Sequence, residues 1–147
     1  MYNTGYEVIF VAFSVIVVAQ IVKFFAHWIL KRQLDFRMFT TTGGMPSSHA
    51  AGVMGLSTTV GLINGFNSVE FAIAISYAFV VMYDAAGLRR STGKIAACLN
   101  KIRDDLYAHG QMPPERLKEL LGHTPFEVFV GALLGAFIAF INHYFLF

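Results

Sequence analysis

The apolar stretch that decides the fold class extends from Val8 to Leu30 and reads VIFVAFSVIVVAQIVKFFAHWIL. It exceeds the roughly 20 residues that an α-helix needs to cross a bilayer, and Lys23 is its only formal charge. The whole chain of 147 residues is 56% hydrophobic, whereas a typical soluble domain is about 45–50% apolar. We therefore expect an integral membrane protein in which residues 1–147 form a single membrane-embedded domain.

Three more apolar runs follow the first one. They extend from His49 to about Phe66, from Phe71 to about Ala86 and from Thr124 to Phe147. Before the last of them, the segment from Thr92 to Ala108 alternates apolar and charged residues at helical spacing, which predicts an amphipathic helix on the membrane surface. The predicted fold is an all-α, integral membrane helical bundle with about four transmembrane spans and this interfacial helix.

Small residues recur every four positions in two of these runs. One run carries Ala51, Gly55 and Thr59, and the other carries Gly131 and Gly135. Small faces with this spacing let helix backbones approach closely within a membrane, so we expect tight packing between these spans.

Basic residues are concentrated in two of the segments between spans. Residues 31–48 hold three Lys or Arg and residues 87–125 hold seven, whereas the N-terminal tail, the turn at 64–70 and the C-terminus hold none. Four spans put both basic segments on one side, which the positive-inside rule makes cytoplasmic. We expect a multi-pass protein of the cell membrane. No cleavable signal peptide is expected, because the first apolar run lacks a positively charged flank.

Two short polar motifs each stand just before an apolar run rich in glycine and alanine. The first is PSSH at residues 46–49, and the second is HTPFE at residues 123–127. The predicted topology puts both motifs on the cytoplasmic side, so that one site can use both.

The residue types in these motifs fit phosphate chemistry. His49 lies at or near the N-terminus of a predicted helix, where free backbone N–H groups and the helix dipole favour an anion. Ser47 and Ser48 can donate hydroxyl hydrogen bonds to that anion. In the second motif the carboxylate of Glu127 can hold one imidazole nitrogen of His123, so that the other nitrogen is free to attack.

The two motifs resemble those of the type 2 phosphatidic acid phosphatase superfamily, which also contains the vanadium haloperoxidases. Its second motif is Pro-Ser-Gly-His, to which residues 46–49 are similar, and its third ends in His-x-x-x-Asp, to which residues 123–127 are similar. Together with the run VMYDAAGLRR at residues 81–90, they indicate a divergent bacterial branch of that superfamily.

The resemblance implies an acid-phosphatase-like phosphoric monoester hydrolase. In such an enzyme His123 is the nucleophile that forms a phosphohistidine, Glu127 orients it, and His49 is the acid for the leaving alcohol. These three residues are the expected catalytic residues.

The cations that hold the phosphate are not given by motif, since the superfamily's first motif, Lys-x6-Arg-Pro, and the arginine of its third motif are absent. The candidates are Lys23 within the first span, Arg37 close to the loop before the first motif, and Arg89 and Arg90, which leave the third span on the predicted cytoplasmic face. Asp84 is close enough in sequence to hold one of the last two arginines. The ordinary alternatives are a snorkelling lysine and a basic flank to a span.

The function that these motifs favour is that of a membrane lipid-phosphate phosphatase, which hydrolyses a phosphomonoester through a phosphohistidine intermediate at the cytoplasmic interface. The expected partners are the membrane and a phosphorylated lipid substrate, because the site opens where lipid headgroups lie. A net charge of +2 is too small to indicate nucleic acid. We expect no cofactor and no metal, because a metal site needs three or four ligands and few residues that could serve are available.

Two alternatives stay open. One is a non-catalytic membrane protein that binds or transports a phosphorylated lipid or another anion. The other is a purely structural membrane subunit, which leaves both polar motifs unexplained. The oligomeric state, a homo-oligomer included, also stays open.

Overall fold

The computed structural model describes residues 5–32, 44–107 and 122–146, and these ranges contain helices and no strand. The helices are α1 (Gly5–Lys31), α2 (Ser48–Asn64), α3 (Val69–Ala86), α4 (Leu88–Tyr107) and α5 (Pro125–Phe145). The all-α prediction is confirmed, and each predicted boundary lies within four residues of the observed one. The largest difference is at α4, which begins directly after Gly87 and so continues from the end of α3.

Side-chain caps explain where α2 and α3 begin. Ser47 caps α2 by accepting a hydrogen bond from the N–H of Ala50, and Ser68 caps α3 in the same way from Phe71. These hydroxyls satisfy backbone donors that have no partner within the helix. At the end of α2, Gly65 has a φ of 91°, a left-handed conformation that favours glycine and turns the chain into α3.

Three stretches are long and apolar enough to cross a membrane, namely Gly5–Ile29, a run within Val69–Asp104, and Pro125–Phe145. Large apolar side chains face outward on all three, with exposures of 67% at Phe13, 66% at Ile73 and 64% at Phe137. Such exposure suits lipid rather than water. These helices establish a helical membrane bundle.

The second predicted span, α2, has 17 residues, at the lower limit of the roughly 17–25 that cross a bilayer. It packs against α1, α3 and α5, and it therefore lies between the three longer helices. That α2 is itself the fourth span stays a prediction.

The directions of the helices follow from their contacts. Gly131 of α5 lies against Ser47 at the start of α2, and Gly135 lies against Ala51 one turn further on, so that α2 and α5 run parallel. In contrast, the first turns of α1 meet the last turns of α5, since Glu7 contacts His143, and α1 is therefore antiparallel to α5.

The end of α3 also meets the start of the α5 segment, because the N–H of His123 donates to the carbonyl of Ala85. The starts of α2 and α5 and the later parts of α1 and α3 therefore share one end of the bundle. This end is called the motif end below, because both polar motifs lie there.

Close packing at the predicted small residues is confirmed. A Cβ atom placed on Gly131 would collide with the carbonyl oxygen of Ser47, and one on Gly135 would collide with that of Ala51. A Cβ on Gly55 would lie 2.9 Å from a methyl group of Val15. The core of the bundle is accordingly thin and made of small side chains: Val11, Val15, Ala19, Ala51 and Ala139.

Candidate functional site

A cluster of polar side chains is buried at the motif end of an otherwise apolar bundle. His123 is 1% exposed, Lys23 is 2% exposed and Ser47 is fully buried. Glu127 and His49 are half-buried beside them. Burying polar and charged groups costs free energy unless partners compensate, so a cluster of this kind marks a candidate site.

The centre of the cluster is a histidine–carboxylate pair. His123 Nδ1 lies 3.2 Å from Glu127 Oε2, so that the imidazole N–H donates to the carboxylate. The same carboxylate oxygen accepts a hydrogen bond from the backbone N–H of Thr124, at 3.1 Å. The pair is therefore held in place by the first turn of α5 itself.

Thr124 completes this arrangement, although the residue pattern of the second motif gave it no expected role. Its hydroxyl accepts a hydrogen bond from the Glu127 N–H at 3.3 Å, which makes the two residues a reciprocal capping box. A Thr followed three residues later by Glu is the sequence signature of this device, and Pro125 occupies the first helical position, where proline is tolerated. The carboxylate thus has a structural task as well as a contact with the imidazole.

The second imidazole nitrogen of His123 is the free one. Nε2 is buried, and no residue in the described ranges makes a well-aligned hydrogen bond to it, although the backbone of Gly44 lies close enough to the ring to affect its pKa. Because Nδ1 donates its proton to Glu127, Nε2 carries the lone pair of the neutral ring. A buried nitrogen with a lone pair and without a partner is suited to attack an electrophile.

Burial lowers the pKa of His123 below its usual 6.5, and the positive charge of Lys23 acts in the same direction. The hydrogen bond and charge of Glu127 and the backbone of Gly44 oppose this shift. Since desolvation is the largest cause, the ring is neutral at neutral pH, which is the form that has a nucleophilic nitrogen.

The second histidine of the predicted pair lies close to the first. The ring centroids of His49 and His123 are 6.2 Å apart and the ring planes meet at 62°. His49 is the second residue of α2, so that it lies in the first turn, where backbone N–H groups remain available for an anion. The two imidazoles are near enough to act on one substrate group.

Two backbone contacts bring these motifs together. The N–H of Ser47 donates to the carbonyl of Glu127 at 3.1 Å, and the N–H of His123 donates to the carbonyl of Ala85 at 3.2 Å. The first contact requires that α2 and α5 touch, which the missing side chain of Gly131 allows. The site is therefore assembled from three helices that are distant in sequence.

The structure brings one of the predicted phosphate-binding cations into the cluster. Lys23 lies within electrostatic range of both Glu127 and His123, so that α1 brings a cation into the cluster. Arg37 lies outside the described residues, and so do the side chains of Arg89 and Arg90 in α4. Asp84, the expected partner of those arginines, is half-buried near the end of α3.

The two serines lie at the start of α2. Ser47 is its N-cap, and the hydroxyl oxygen accepts the Ala50 N–H at 3.4 Å, which leaves the hydroxyl hydrogen able to donate. Ser48 is the first helical residue and is 5% exposed. Within the described ranges, no three His, Cys, Asp or Glu side chains come close enough together to hold a metal ion.

These features define a helical membrane protein with a buried histidine–carboxylate site at one end of its bundle. The chain belongs to the divergent PAP2 family, whose model matches residues 4–138. It is 40% identical over 143 residues to YuiD, an uncharacterized membrane protein of Bacillus subtilis strain 168, with 90% of each chain covered. No solved structure is significantly similar to the chain. The resemblance drawn from the two motifs is thereby confirmed.

Proposed function

We propose that this protein is a membrane phosphatase that hydrolyses a phosphomonoester of a lipid through a phosphohistidine intermediate. The observation that carries the proposal is the state of His123, whose Nδ1 is hydrogen-bonded to Glu127 while its buried Nε2 has no partner among the described residues. Family membership supports the same chemistry. The distribution of basic residues supports a site on the cytoplasmic side.

The first step forms the covalent intermediate. The lone pair of His123 Nε2 attacks phosphorus, and the bond between phosphorus and the lipid oxygen breaks. His49, in its protonated form, gives a proton to the leaving oxygen, so that an alcohol departs. The imidazole of His123 becomes positively charged, and the adjacent carboxylate of Glu127 stabilises that charge.

The second step restores the enzyme. His49, now neutral, takes a proton from water as the water oxygen attacks phosphorus. The bond between phosphorus and His123 Nε2 breaks, and inorganic phosphate leaves. Among the residues that the structure describes, Lys23 is the cation that can neutralise the charge on the phosphoryl oxygens in this apolar site.

A second candidate function is binding or transport of a phosphorylated lipid or another anion without catalysis. The capping box favours it, because it gives Glu127 a structural reason to be present that needs no reaction. In that case the buried Lys23 and the start of α2 would hold the anion.

Phosphate release separates the two candidates. The full-length protein, purified in detergent or nanodiscs, is incubated with a panel of lipid phosphates and with p-nitrophenyl phosphate. The wild type should release phosphate and His123→Ala should not, while His109→Ala, a histidine without a predicted role, should retain the wild-type rate. Vanadate binding without turnover of any phosphate ester would instead favour the binding or transport function.

A further inference from the structure

A second acid–imidazole pair, in which the acid is buried and the imidazole is half-buried, lies at the end of the bundle away from the motifs. His143 Nδ1 is 2.8 Å from Glu7 Oε1, and Glu7 is only 1% exposed. The two residues are 136 positions apart in the chain, so that only the packing of α1 on α5 brings them together. The proposed reaction uses neither of them.

The spacing between charged or titratable residues is the same on the two helices that carry this pair. On α1, Glu7 and Lys23 are sixteen residues apart, and on α5, Glu127 and His143 are also sixteen residues apart. Because the helices are antiparallel, Glu7 meets His143 at one end and Lys23 comes within electrostatic range of Glu127 at the other. At 1.5 Å per residue the two ends are about 24 Å apart.

Between these ends the direct contact of α1 with α5 is apolar, and close steric contacts of α1 are made on α2, where Ile16 meets Gly52 and Val15 meets Gly55. Val11, Val15 and Ala19 of α1 share one buried apolar cluster with Ala51 of α2 and Ala139 of α5, and Leu134 and Ile138 of α5 pack against it. Aliphatic side chains at this seam oppose a slip of one helical turn less than backbone contact does, and lipid supplies no hydrophobic drive against such a slip. A slip would, however, separate an acid from its basic partner at both ends within an apolar medium, which is costly.

We infer that the Glu7–His143 pair sets the register of α1 against α5 and in this way holds Lys23 beside Glu127 and His123. Glu7 and His143 are thus positioning residues, which act on the site through α1 rather than by contact with a substrate. Polar groups that specify the register of packed helices are well documented in coiled coils. The register itself does not depend on catalysis, whereas its consequence for phosphate binding rests on the proposed function.

Intramolecular disulfides report the register directly. In a Cys98→Ser background, Val11→Cys is combined with Ala139→Cys to probe the observed register, and Val15→Cys with Ala139→Cys to probe a slip of one turn. A disulfide forms readily only when the Cα atoms are about 4.4–6.8 Å apart. With Glu7 and His143 unchanged, oxidation in membranes should give more disulfide in the Val11→Cys, Ala139→Cys protein. Adding Glu7→Gln or His143→Ala should lower that yield and raise the disulfide yield of the Val15→Cys, Ala139→Cys protein.

Two further variants serve as controls. Glu7→His combined with His143→Glu exchanges the partners and should restore the wild-type disulfide pattern. Glu70→Gln removes an exposed carboxylate from the first turn of α3 at the same end of the bundle and should change nothing. Wild-type disulfide yields in both single variants would overturn the inference. If the single variants do not accumulate in membranes, failure of the exchanged variant to restore accumulation would overturn it as well.

Vanadate affinity measures the effect on the site. We expect Glu7→Gln to weaken vanadate binding about tenfold, within the range by which remote residues modulate a site, and the exchanged variant to recover it. A shifted disulfide pattern with unchanged vanadate affinity would overturn the link from register to Lys23. Absence of vanadate binding by the wild type would overturn the proposed function instead, and the disulfide yields would still decide the question of register.

Discussion

The helix α5 packs on α2 and on α1 in two different ways. Along α2 the backbones touch, because Gly131 and Gly135 leave no room for a side chain against the carbonyls of Ser47 and Ala51. Along α1 the contact is made by side chains, with a small apolar middle and the Glu7–His143 pair at one end.

The difference lies in how each seam resists sliding. Backbone contact at glycine is steric, so that a shift of one residue brings a side chain into the gap and is blocked at once. A seam of small aliphatic side chains permits such a shift unless charges oppose it. The α2/α5 seam therefore holds the two histidine motifs together, and the α1/α5 seam delivers the cation Lys23 to them.

The largest effects are expected at the two histidines that face each other across the α2/α5 seam. His123→Ala should abolish phosphate release from both a lipid phosphate and p-nitrophenyl phosphate, since the covalent step is lost. His49→Ala should retain more activity on the aryl ester, because its acidic leaving group needs little of the about 10²–10⁴-fold that general acid catalysis supplies. Equal losses on both substrates in both variants would contradict distinct roles.

The next largest effect is expected from a substitution that disrupts the backbone contact between α2 and α5. Gly131→Ala places a Cβ against the Ser47 carbonyl, so that the start of α2 must move away from α5 and the hydrogen bond from the Ser47 N–H to the Glu127 carbonyl is weakened. We expect a loss of stability of about 1–3 kcal/mol, as for overpacked cores, together with loss of vanadate binding. Thermal unfolding in detergent and vanadate titration measure both effects. Gly5→Ala is the matched control, since a Cβ there meets nothing within 4 Å, and equal behaviour of the two variants would refute the steric account.

At the α1/α5 seam the substitution that matters most is at Lys23. Lys23→Met retains much of the side-chain volume and removes the charge, so that vanadate affinity should fall about 10–100-fold, as expected when a charged hydrogen bond is lost. Lys94→Met, which removes an exposed lysine from α4, should leave the affinity unchanged. Wild-type affinity in Lys23→Met would mean that the phosphate-binding cations lie elsewhere.

The two tasks of Glu127 can be separated by smaller changes. Thr124→Ala removes the cap but leaves the contact between His123 and Glu127, so that stability should fall by about 0.5–2 kcal/mol with little change in the rate of the chemical step. Glu127→Gln can still accept the Thr124 N–H but no longer stabilises a charged imidazole, and kcat should fall. If Glu127→Gln turned over substrate at the wild-type rate, the carboxylate would be a capping residue alone.

The smallest effect is expected on the stability of the protein when the pH is lowered. Burial lowers the pKa of His123 below 6.5, so that the unfolded chain takes up this proton at a higher pH than the folded protein does. The stability contributed by the neutral ring is complete above about pH 6.5 and is lost as the pH falls toward the folded pKa. The Tm should therefore drop as the pH falls below about 6.5, and less steeply in His123→Gln than in the wild type. Parallel pH profiles would show that His123 does not carry the effect.

The helices and both motifs could be predicted from sequence because they rest on local patterns. The apolar runs and the small residues at four-residue spacing predicted the bundle, and the order of residues in PSSH and HTPFE predicted that His49, His123 and Glu127 belong together. The capping role of Thr124 was equally local, and the Thr-x-x-Glu pattern could have revealed it.

The remaining features depend on which helix lies beside which. Nothing near Lys23 in the sequence indicates Glu127 as its neighbour, and the equal spacing of sixteen residues on α1 and α5 has meaning only once the helices are known to be antiparallel. His143 had no expected role from sequence, because its partner Glu7 is near the other end of the chain.

By itself the sequence determined that this chain forms apolar helices and that its polar motifs begin two of them, since hydropathy and helix capping act over a few neighbouring residues. Only the tertiary structure decided that α2 and α5 run parallel in backbone contact, that Ser47 and Ala85 hold the second motif through backbone hydrogen bonds, and that α1 brings Lys23 to it. The physical reason is that such contacts join residues far apart in the chain, where steric fit and the pairing of buried charges select one packing among several that local patterns allow.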